Sequence, residues 1–212
     1  MHFLIFVRHG ETDWNREKRF QGGNSDVPLS LVGERQSRLI AHALLRENVK
    51  IVFSSPLKRA RDTAEIISVV NQIPLEVLPE LRELNFGIYE GKLESELERE
   101  FGEEYLKWRD SNYTLAPPEG ESLADAAERV KKILETVEPH LTHGSVVICA
   151  HQGINMAIKA FITGDYSVEA AQKYRQANNR IDYWHLAEKK QYRSVEVFGS
   201  FAGLVGVAPL KS

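Results

Sequence analysis

Two histidines and two arginines in this chain stand at the ends of apolar runs, where chemistry on an anion is expected. The run Phe3-Leu4-Ile5-Phe6-Val7 stops abruptly at Arg8-His9-Gly10. A second, Val146-Val147-Ile148-Cys149-Ala150, stops at His151-Gln152-Gly153. A third, Ile51-Val52-Phe53-Ser54, leads through Ser55-Pro56 to Arg59. The planar fork of arginine can bind phosphate oxygens bidentately. A neutral imidazole, with an ordinary pKa of ~6.5, keeps a lone pair free near pH 7 and can form covalent intermediates. The chemistry so marked is the binding of a dianion such as a phosphoryl group, with His9 as a candidate nucleophile whose ring a backbone carbonyl beside Gly10 would orient. Taken singly, each piece has a plainer reading. Arg8-His9 would be a structural or surface pair, His151 a hydrogen-bonded core histidine, and Arg59 a solvated helix residue between Lys58 and Arg61. Their coincidence on one sheet edge favours the chemical reading.

The elements that must position these residues follow from periodicity. Short apolar runs bounded by turn residues read as buried strands of a parallel sheet, and each is followed by a helical pattern. Ser30 predicts the N-cap of a helix from about Leu31, with Val32, Leu39, Ile40, Ala43 and Leu44 on its apolar face. Ser55-Pro56 predicts a cap and a first-turn proline for the next helix, with Leu57, Ala60, Ala64 and Ile67 inward. Met156, Ala157, Ala160 and Phe161 mark a helix after His151. Alternating strands and helices predict an α/β layered fold. In such a sheet ligands bind beyond the carboxyl ends of the strands, and helix N-termini there would favour an anion.

Further strands are expected near 74–78, 180–187 and 192–198, and the tail after Gly199 reads as loop. Residues 92–113 look helical through Leu93, Leu97, Phe101, Tyr105 and Trp108 and predict a small cap, which Pro117-Pro118 ends. Ser122 with Asp125 predicts a capping box for a helix through Leu123, Ala126, Ala127, Val130, Ile133, Leu134 and Val137. One domain over residues 1–212 is expected, with a cap insertion at about 84–120. Tyr89, Tyr105, Trp108 and Tyr113 would either line a partly aromatic pocket or pack the cap.

Composition narrows the classes. A net charge of -3 over 212 residues, with an isoelectric point near 6.2, carries no basic footprint for nucleic acid. No apolar stretch approaches the roughly 20 residues that span a bilayer, so no membrane partner is expected. No basic, apolar leader precedes the first strand, and the one cysteine, Cys149, fits a reducing compartment. The expectation is a cytoplasmic protein. No cofactor and no metal are called for: the carboxylates are not clustered as a ligand set, and the arginines would repel a cation.

The motifs also resemble a family. Arg8-His9-Gly10-Glu11-Thr12 with Trp14-Asn15 is similar to the signature of the histidine phosphatase superfamily, whose fold is phosphoglycerate mutase-like. Ser55-Pro56-Leu57-Lys58-Arg59-Ala60 with Thr63-Ala64 resembles its second motif, and Leu81-Arg82-Glu83 with Gly87 and Glu90-Gly91 its third. Pro118-Glu119-Gly120-Glu121-Ser122 and Ala150-His151-Gln152-Gly153 resemble the fourth and fifth. The blocks keep the family's order over residues 3 to about 163. The resemblance implies a three-layer α/β/α sandwich with a mostly parallel central sheet and a small helical cap. It implies that His9 is phosphorylated, that Arg8, Arg59 and His151 hold the phosphoryl group, and that Glu83 protonates the leaving oxygen and then deprotonates water. Such a glutamate needs a pKa raised by burial or by phosphate. Asn15, Gln21 and Gly22 fall in the family's substrate-binding loop, and Gln152 stands where glycine or asparagine is common.

The family holds phosphatases and mutases. Beside the mutase pattern, an expected tyrosine falls at Phe86, a lysine at Glu94 and the second of an arginine pair at Asp110; Arg109 remains, and Lys92 is a near neighbour of Glu94. Two cations become two anions, which would repel a substrate bearing phosphate and carboxylate. The expectation is therefore a metal-independent phosphomonoesterase acting on a small phosphorylated metabolite. The alternatives are a cofactor-dependent phosphoglycerate mutase and an inactive phosphate-binding regulatory module. An edge strand offers a way to pair two copies as a homodimer.

Overall fold

The computed structural model describes residues 1–198 and the backbone of 206–209. Its elements run β1 (Leu4–Arg8), α1 (Asp13–Glu17), α2 (Leu31–Leu44), β2 (Val49–Ser54), α3 (Lys58–Asn71), β3 (Leu75–Val77), α4 (Glu94–Phe101), α5 (Glu103–Asp110), α6 (Ala127–Val137), β4 (Ser145–Ala150), α7 (Gln152–Thr163), α8 (Val168–Tyr174), β5 (Arg180–His185), β6 (Lys190–Phe198) and β7 (Gly206–Pro209). The strands form one sheet in the order β3-β2-β4-β1-β5-β6-β7. The first four in that order are mutually parallel, β5 opposes them, β6 turns back and β7 reverses again. Five of the seven strands therefore point one way, which is the mostly parallel sheet expected.

Three layers follow from the apolar runs. Successive strand residues point to opposite faces, so a continuous apolar run needs cover on both sides. Leu4 and Phe6 of β1 enter one apolar cluster, and Ile5 and Val7 the other. β4 divides likewise, Val146 and Ile148 against Val147 and Cys149. α2 and α3 cover one face through Ile40, Ala41, Leu44, Ala64 and Ile67. α6 and α7 cover the other through Val130, Ile133, Ile154 and Ile158. Each fully buried side chain of this kind contributes roughly 1.5–3 kcal/mol as an upper estimate. Because α2 follows β1 on one face and α7 follows β4 on the other, the chain diverges from these adjacent strands and opens a crevice at their carboxyl ends. No helix among the described residues is long and apolar enough to cross a membrane.

Several local expectations are corrected. The buried face of α2 is Gly33, Ser37, Ile40, Ala41 and Leu44, with Val32 exposed, because Gly33 packs against the Gly10–Glu11 backbone and Ser37 against Thr63 of α3, where only small residues fit. Ser30 caps it as expected, accepting the Gly33 N–H at 3.1 Å. α3 starts at Lys58 with Leu57, which has no side-chain acceptor, at the N-cap position, while Ser55 accepts the Leu57 N–H one residue earlier. Residues 92–113 hold two helices rather than one, broken at Gly102 with φ +51°. Ser122 and Asp125 exchange the capping-box bonds, but regular helix begins only at Ala127. Phe161 is exposed. Of the tail expected as loop, residues 206–209 pair with β6 as an edge strand, and 199–205 and 210–212 lie outside the described residues.

The cap does not stand apart from the body. Phe86, Tyr89, Leu97, Tyr105 and Trp108 are buried in the same cluster that lines the α6–α7 face. Phe20 joins them edge-on, with ring centroids 5.3 Å from Trp108 and 6.0 Å from Phe86. The loop after α1 is tied to the cap by Phe20 N–H to Lys92 O (3.0 Å) and Gly91 N–H to Phe20 O (2.9 Å).

Candidate active site

Sheet register brings the two histidines together. Arg8 pairs with Ala150, and the His9 N–H continues the ladder onto Ala150 O at 2.9 Å. His9 and His151 therefore emerge side by side at the crevice, with ring centroids 5.1 Å apart. His9 Nδ1 donates to its neighbour's carbonyl, Gly10 O, at 2.8 Å. With the proton held there, the lone pair is on Nε2. Burial, with the cations of Arg59 and Arg8 nearby, holds His9 well below the usual imidazole range, so the ring is neutral at pH 7. Gly10 must be glycine, because a Cβ would lie 2.3 Å from Gly33 O.

The same ladder places Ser55, whose N–H donates to Cys149 O at 3.2 Å. Its Oγ accepts the Leu57 N–H at 3.3 Å and lies 2.7 Å from His151 Nε2. Assigned with the Ser55 O–H donating a hydrogen bond to Nε2, the His151 proton is on Nδ1. That Nδ1 is buried and has no protein partner. Burial first, and then Arg59 and His9, hold His151 neutral too.

Arg8 donates from Nη1 to Gln152 Oε1 (3.2 Å) and to Gln176 O (3.1 Å). Arg59, fully buried, holds the carbonyls of Ser25, Gln21 and Gly22. Burial lowers it to about 10, so it stays cationic. Neither guanidinium has a carboxylate within ion-pair distance. Arg8 Nε, Arg59 Nε, Gln21 Nε2 and His151 Nδ1 are buried without a hydrogen-bond partner. Orphaned buried donors are costly and rare, and four of them around His9 call for an anion with several acceptor oxygens.

Glu83 is buried against the start of α7. Its Oε1 accepts the N–H groups of Leu84 (2.8 Å) and Ile154 (2.9 Å), and Oε2 that of Gly153 (3.0 Å). Burial pushes its pKa up, while the three N–H groups and Arg59 pull against that rise. α3 is treated likewise: Asp26 accepts the Lys58 N–H at 2.6 Å. The expectation that helix N-termini receive the anion is thus corrected, since carboxylates of this chain already occupy both first turns.

A cavity of about 320 Å³ opens in front of His9. Arg8, Glu83, Asn15, Gln21 and Gln152 line it. Asn15 Oδ1 also caps α1 by accepting the Thr12 N–H at 3.1 Å, and Gln21 Oε1 takes the Thr12 hydroxyl at 3.0 Å. Gln152 links Arg8 to the Tyr113 hydroxyl, its Nε2 donating at 3.3 Å. Gly22 does not reach the cavity. It packs where a Cβ would meet the Glu90 carboxylate at 2.3 Å, and Glu90 in turn holds Asn24 N–H and Ser25 Oγ. Arg59 and His151 are fully buried beside His9 and are not among the residues that line the cavity. Of the aromatics, Trp108 and Tyr113 line the cavity, while Tyr89 and Tyr105 are fully buried in the cap.

Sequence reasoning does not reach Arg175, Gln176 or Asn112. Arg175 lines the cavity and donates to Asn112 Oδ1 at 3.2 Å. Gln176, buried, donates to Phe6 O (2.7 Å), accepts from Asn155, and offers its own carbonyl to Arg8. No motif marks them. The one signal is position: Arg175 and Gln176 are polar residues in the turn that feeds β5 beside β1, and Asn112 follows the end of α5.

A neutral histidine with a free Nε2, ringed by cations and unpaired donors at a sheet switch point, defines a protein that handles phosphoryl groups. The family model of the histidine phosphatase superfamily (branch 1) matches residues 4–195, and the chain belongs to that superfamily. It is 38% identical over 151 residues to phosphoserine phosphatase 1 of Hydrogenobacter thermophilus, covering 70% of each chain. It is 36% identical over 189 residues to a probable phosphoglycerate mutase of Photorhabdus laumondii, covering 86% of this chain and 85% of the relative. A solved mycobacterial glucosyl-3-phosphoglycerate phosphatase is 27% identical with a TM-score of 0.77, covering 92% of this chain and 90% of that one. Phosphatases and mutases both stand among its relatives.

Proposed function

We propose that this chain is a phosphomonoesterase that passes the phosphoryl group of a small phosphorylated metabolite to His9 and then to water. The carrying observation is His9, neutral and oriented by Gly10 O, beside the unpartnered donors of Arg8, Arg59, Gln21 and His151. His9 Nε2 attacks phosphorus and the ester P–O bond breaks. Glu83, protonated, gives its proton to the leaving oxygen. Water then attacks the phosphohistidine as the Glu83 carboxylate takes its proton, the P–N bond breaks, and His9 returns neutral with Nδ1–H still on Gly10 O. Arrival of a phosphate dianion beside Glu83 adds to the burial that already raises its pKa. Asn15, Gln21 and Gln152 are assigned to substrate contact at the cavity wall.

Water is favoured over a phosphoglycerate as acceptor by the charges on the cap side. Glu94 lines the cavity, and Arg109 is held by Glu98 and Asp110, each at 3.0 Å. Lys92, the cation able to compensate for Glu94, is paired with Glu100 outside the cavity. The test is hydrolysis of p-nitrophenyl phosphate in chelator with no added metal, expected in the wild type and abolished by His9→Ala. Interconversion of phosphoglycerates stimulated by 2,3-bisphosphoglycerate, with no hydrolysis, would make the chain a mutase instead. Phosphate binding with neither activity would make it a binding module.

A further inference from the structure

The cavity carries cations that the phosphoryl chemistry does not use. Its basic side chains besides Arg8 are Lys18, Arg19, Arg109 and Arg175. Arg19 is engaged by Glu17 at 3.3 Å and by Gly91 O, and Arg109 by Glu98 and Asp110. Lys18 also pairs with no carboxylate among the described residues, but its carbonyl takes the N–H of Glu94, whose negative charge lines the cavity beside it. Arg175 has no carboxylate within 4 Å among the described residues. It is aimed by a neutral group, the Oδ1 of buried Asn112.

The turn that aims it is strained. Asn112 and Tyr113 are both left-handed, with φ +51° and +68°. Asparagine tolerates this conformation, but consecutive non-glycine residues there, one of them aromatic, are held against a conformational cost. The cost places Asn112 Oδ1 on Arg175 and the Tyr113 hydroxyl against Gln152. That hydroxyl accepts the Gln152 N–H, so its own proton is left to donate into the cavity. Arg175 is also fixed close to the phosphoryl site, because the next residue, Gln176, takes Arg8 on its carbonyl.

We propose that Arg175 and Tyr113 form a second anion subsite, so that the preferred substrate is a phosphomonoester bearing another anionic group. This rests on the phosphatase reading above. Among the described residues no carboxylate pairs with Arg175, so a second anion held there meets an uncompensated cation, which Arg109, bound by Glu98 and Asp110, does not offer. A carboxylate and a second phosphate share the required chemistry, since both offer paired oxygens to a guanidinium fork and a phenol donor.

Matched esters test it. 3-Phosphoglycerate and glycerol 3-phosphate differ by a carboxylate in place of a hydroxymethyl group, and fructose 1,6-bisphosphate against fructose 6-phosphate reads a second phosphate. The wild type is expected to favour at least one doubly anionic member about tenfold or more in kcat/KM. Arg175→Gln is expected to erase that preference, mainly through KM, while changing glycerol 3-phosphate and p-nitrophenyl phosphate less than about threefold. Arg175→Lys should restore part of it, and Tyr113→Phe should lower it. No preference in the wild type, or an equal loss on all esters in Arg175→Gln, overturns the subsite. If no ester is hydrolysed the phosphatase reading fails instead. Calorimetric binding of the same pairs to wild type and Arg175→Gln then decides the subsite by the same criterion.

Discussion

Replacing Glu83 by glutamine separates two roles that one carboxyl group combines. An acid at the leaving oxygen contributes roughly 10²–10⁴-fold, or about 3–5 kcal/mol of barrier, but only where the departing oxygen is strongly basic. Glycerol 3-phosphate has such a leaving group, whereas p-nitrophenolate departs as a stable anion. For Glu83→Gln, kcat/KM should fall about 10²–10⁴-fold on glycerol 3-phosphate and less than about tenfold on p-nitrophenyl phosphate. The water step needs a base whichever ester is used. Phosphohistidine should therefore accumulate, seen as a rapid burst of p-nitrophenol equal to the enzyme, followed by slow turnover. Equal losses on both esters, with no burst, would show that Glu83 only holds the start of α7.

The structural cost of that substitution can be worked from the same bonds. An amide oxygen at Oε1 keeps the N–H groups of Leu84 and Ile154, but the amide NH₂ then faces the Gly153 N–H. One buried donor loses its acceptor, at about 1–3 kcal/mol. The pH dependence has a definite sign. Burial raises the folded pKa of Glu83, so the folded state holds that proton more tightly than the unfolded chain, whose pKa is about 4.3. The stability this contributes is fully present below that value and is lost as pH rises through the folded pKa. The advantage of wild type over Glu83→Gln in urea denaturation should thus shrink as pH is raised through that window. An advantage that grew instead would mean the N–H cage outweighs burial.

Three further outcomes are expected. Ser55→Ala removes the hydroxyl that fixes the His151 tautomer; a loss of about 1–3 kcal/mol should appear as roughly five- to 150-fold in kcat/KM, and a change under twofold would refute the tautomer assignment. In a nitrogen-15 NMR titration of the free protein, His9 and His151 should stay neutral at pH 6, because burial and Arg59 hold both well below 6.5; a midpoint at or above 6.5 for either ring contradicts the reading. The buried pair of Lys159 and Asp182, 2.7 Å apart, should respond unequally. Asp182→Asn strips the ammonium to Tyr174 O alone and should cost about 3–5 kcal/mol. Lys159→Met leaves Asp182 with Arg180 and Ser194 and should cost less; equal urea midpoints would show that those two partners carry nothing.

What could be read from the sequence was whatever a residue does through its neighbours along the chain. Leu4–Val7 and Val146–Ala150 are buried because they are continuously apolar, and strand direction then carried Arg8, His9 and His151 to one edge without any contact being known. The errors arise where a contact across the fold overrules a local preference. Ser55 reads as a helix cap, and its oxygen does accept the Leu57 N–H just before α3, but its shortest bond is to a buried imidazole across the fold. Gly33 and Ser37, not Val32, face inward, against the Gly10–Glu11 backbone and Thr63, because close approach selects for small size rather than apolarity. The helix N-termini were the largest misreading, and a productive one. Asp26 and Glu83 reach them from 32 and 70 positions away, distances at which no spacing rule operates. Once those carboxylates have absorbed the helix ends, the anion is left to side chains alone. In the proposed reaction the positive charge is that of Arg8 and Arg59 at the phosphoryl position and of Arg175 beside it. Arrival of substrate can shift the proton of Glu83 because that carboxylate already borrows its stability from α7. In the proposed reaction, the carboxyl that holds the first turn of α7 is therefore the group placed to answer the charge of the ester.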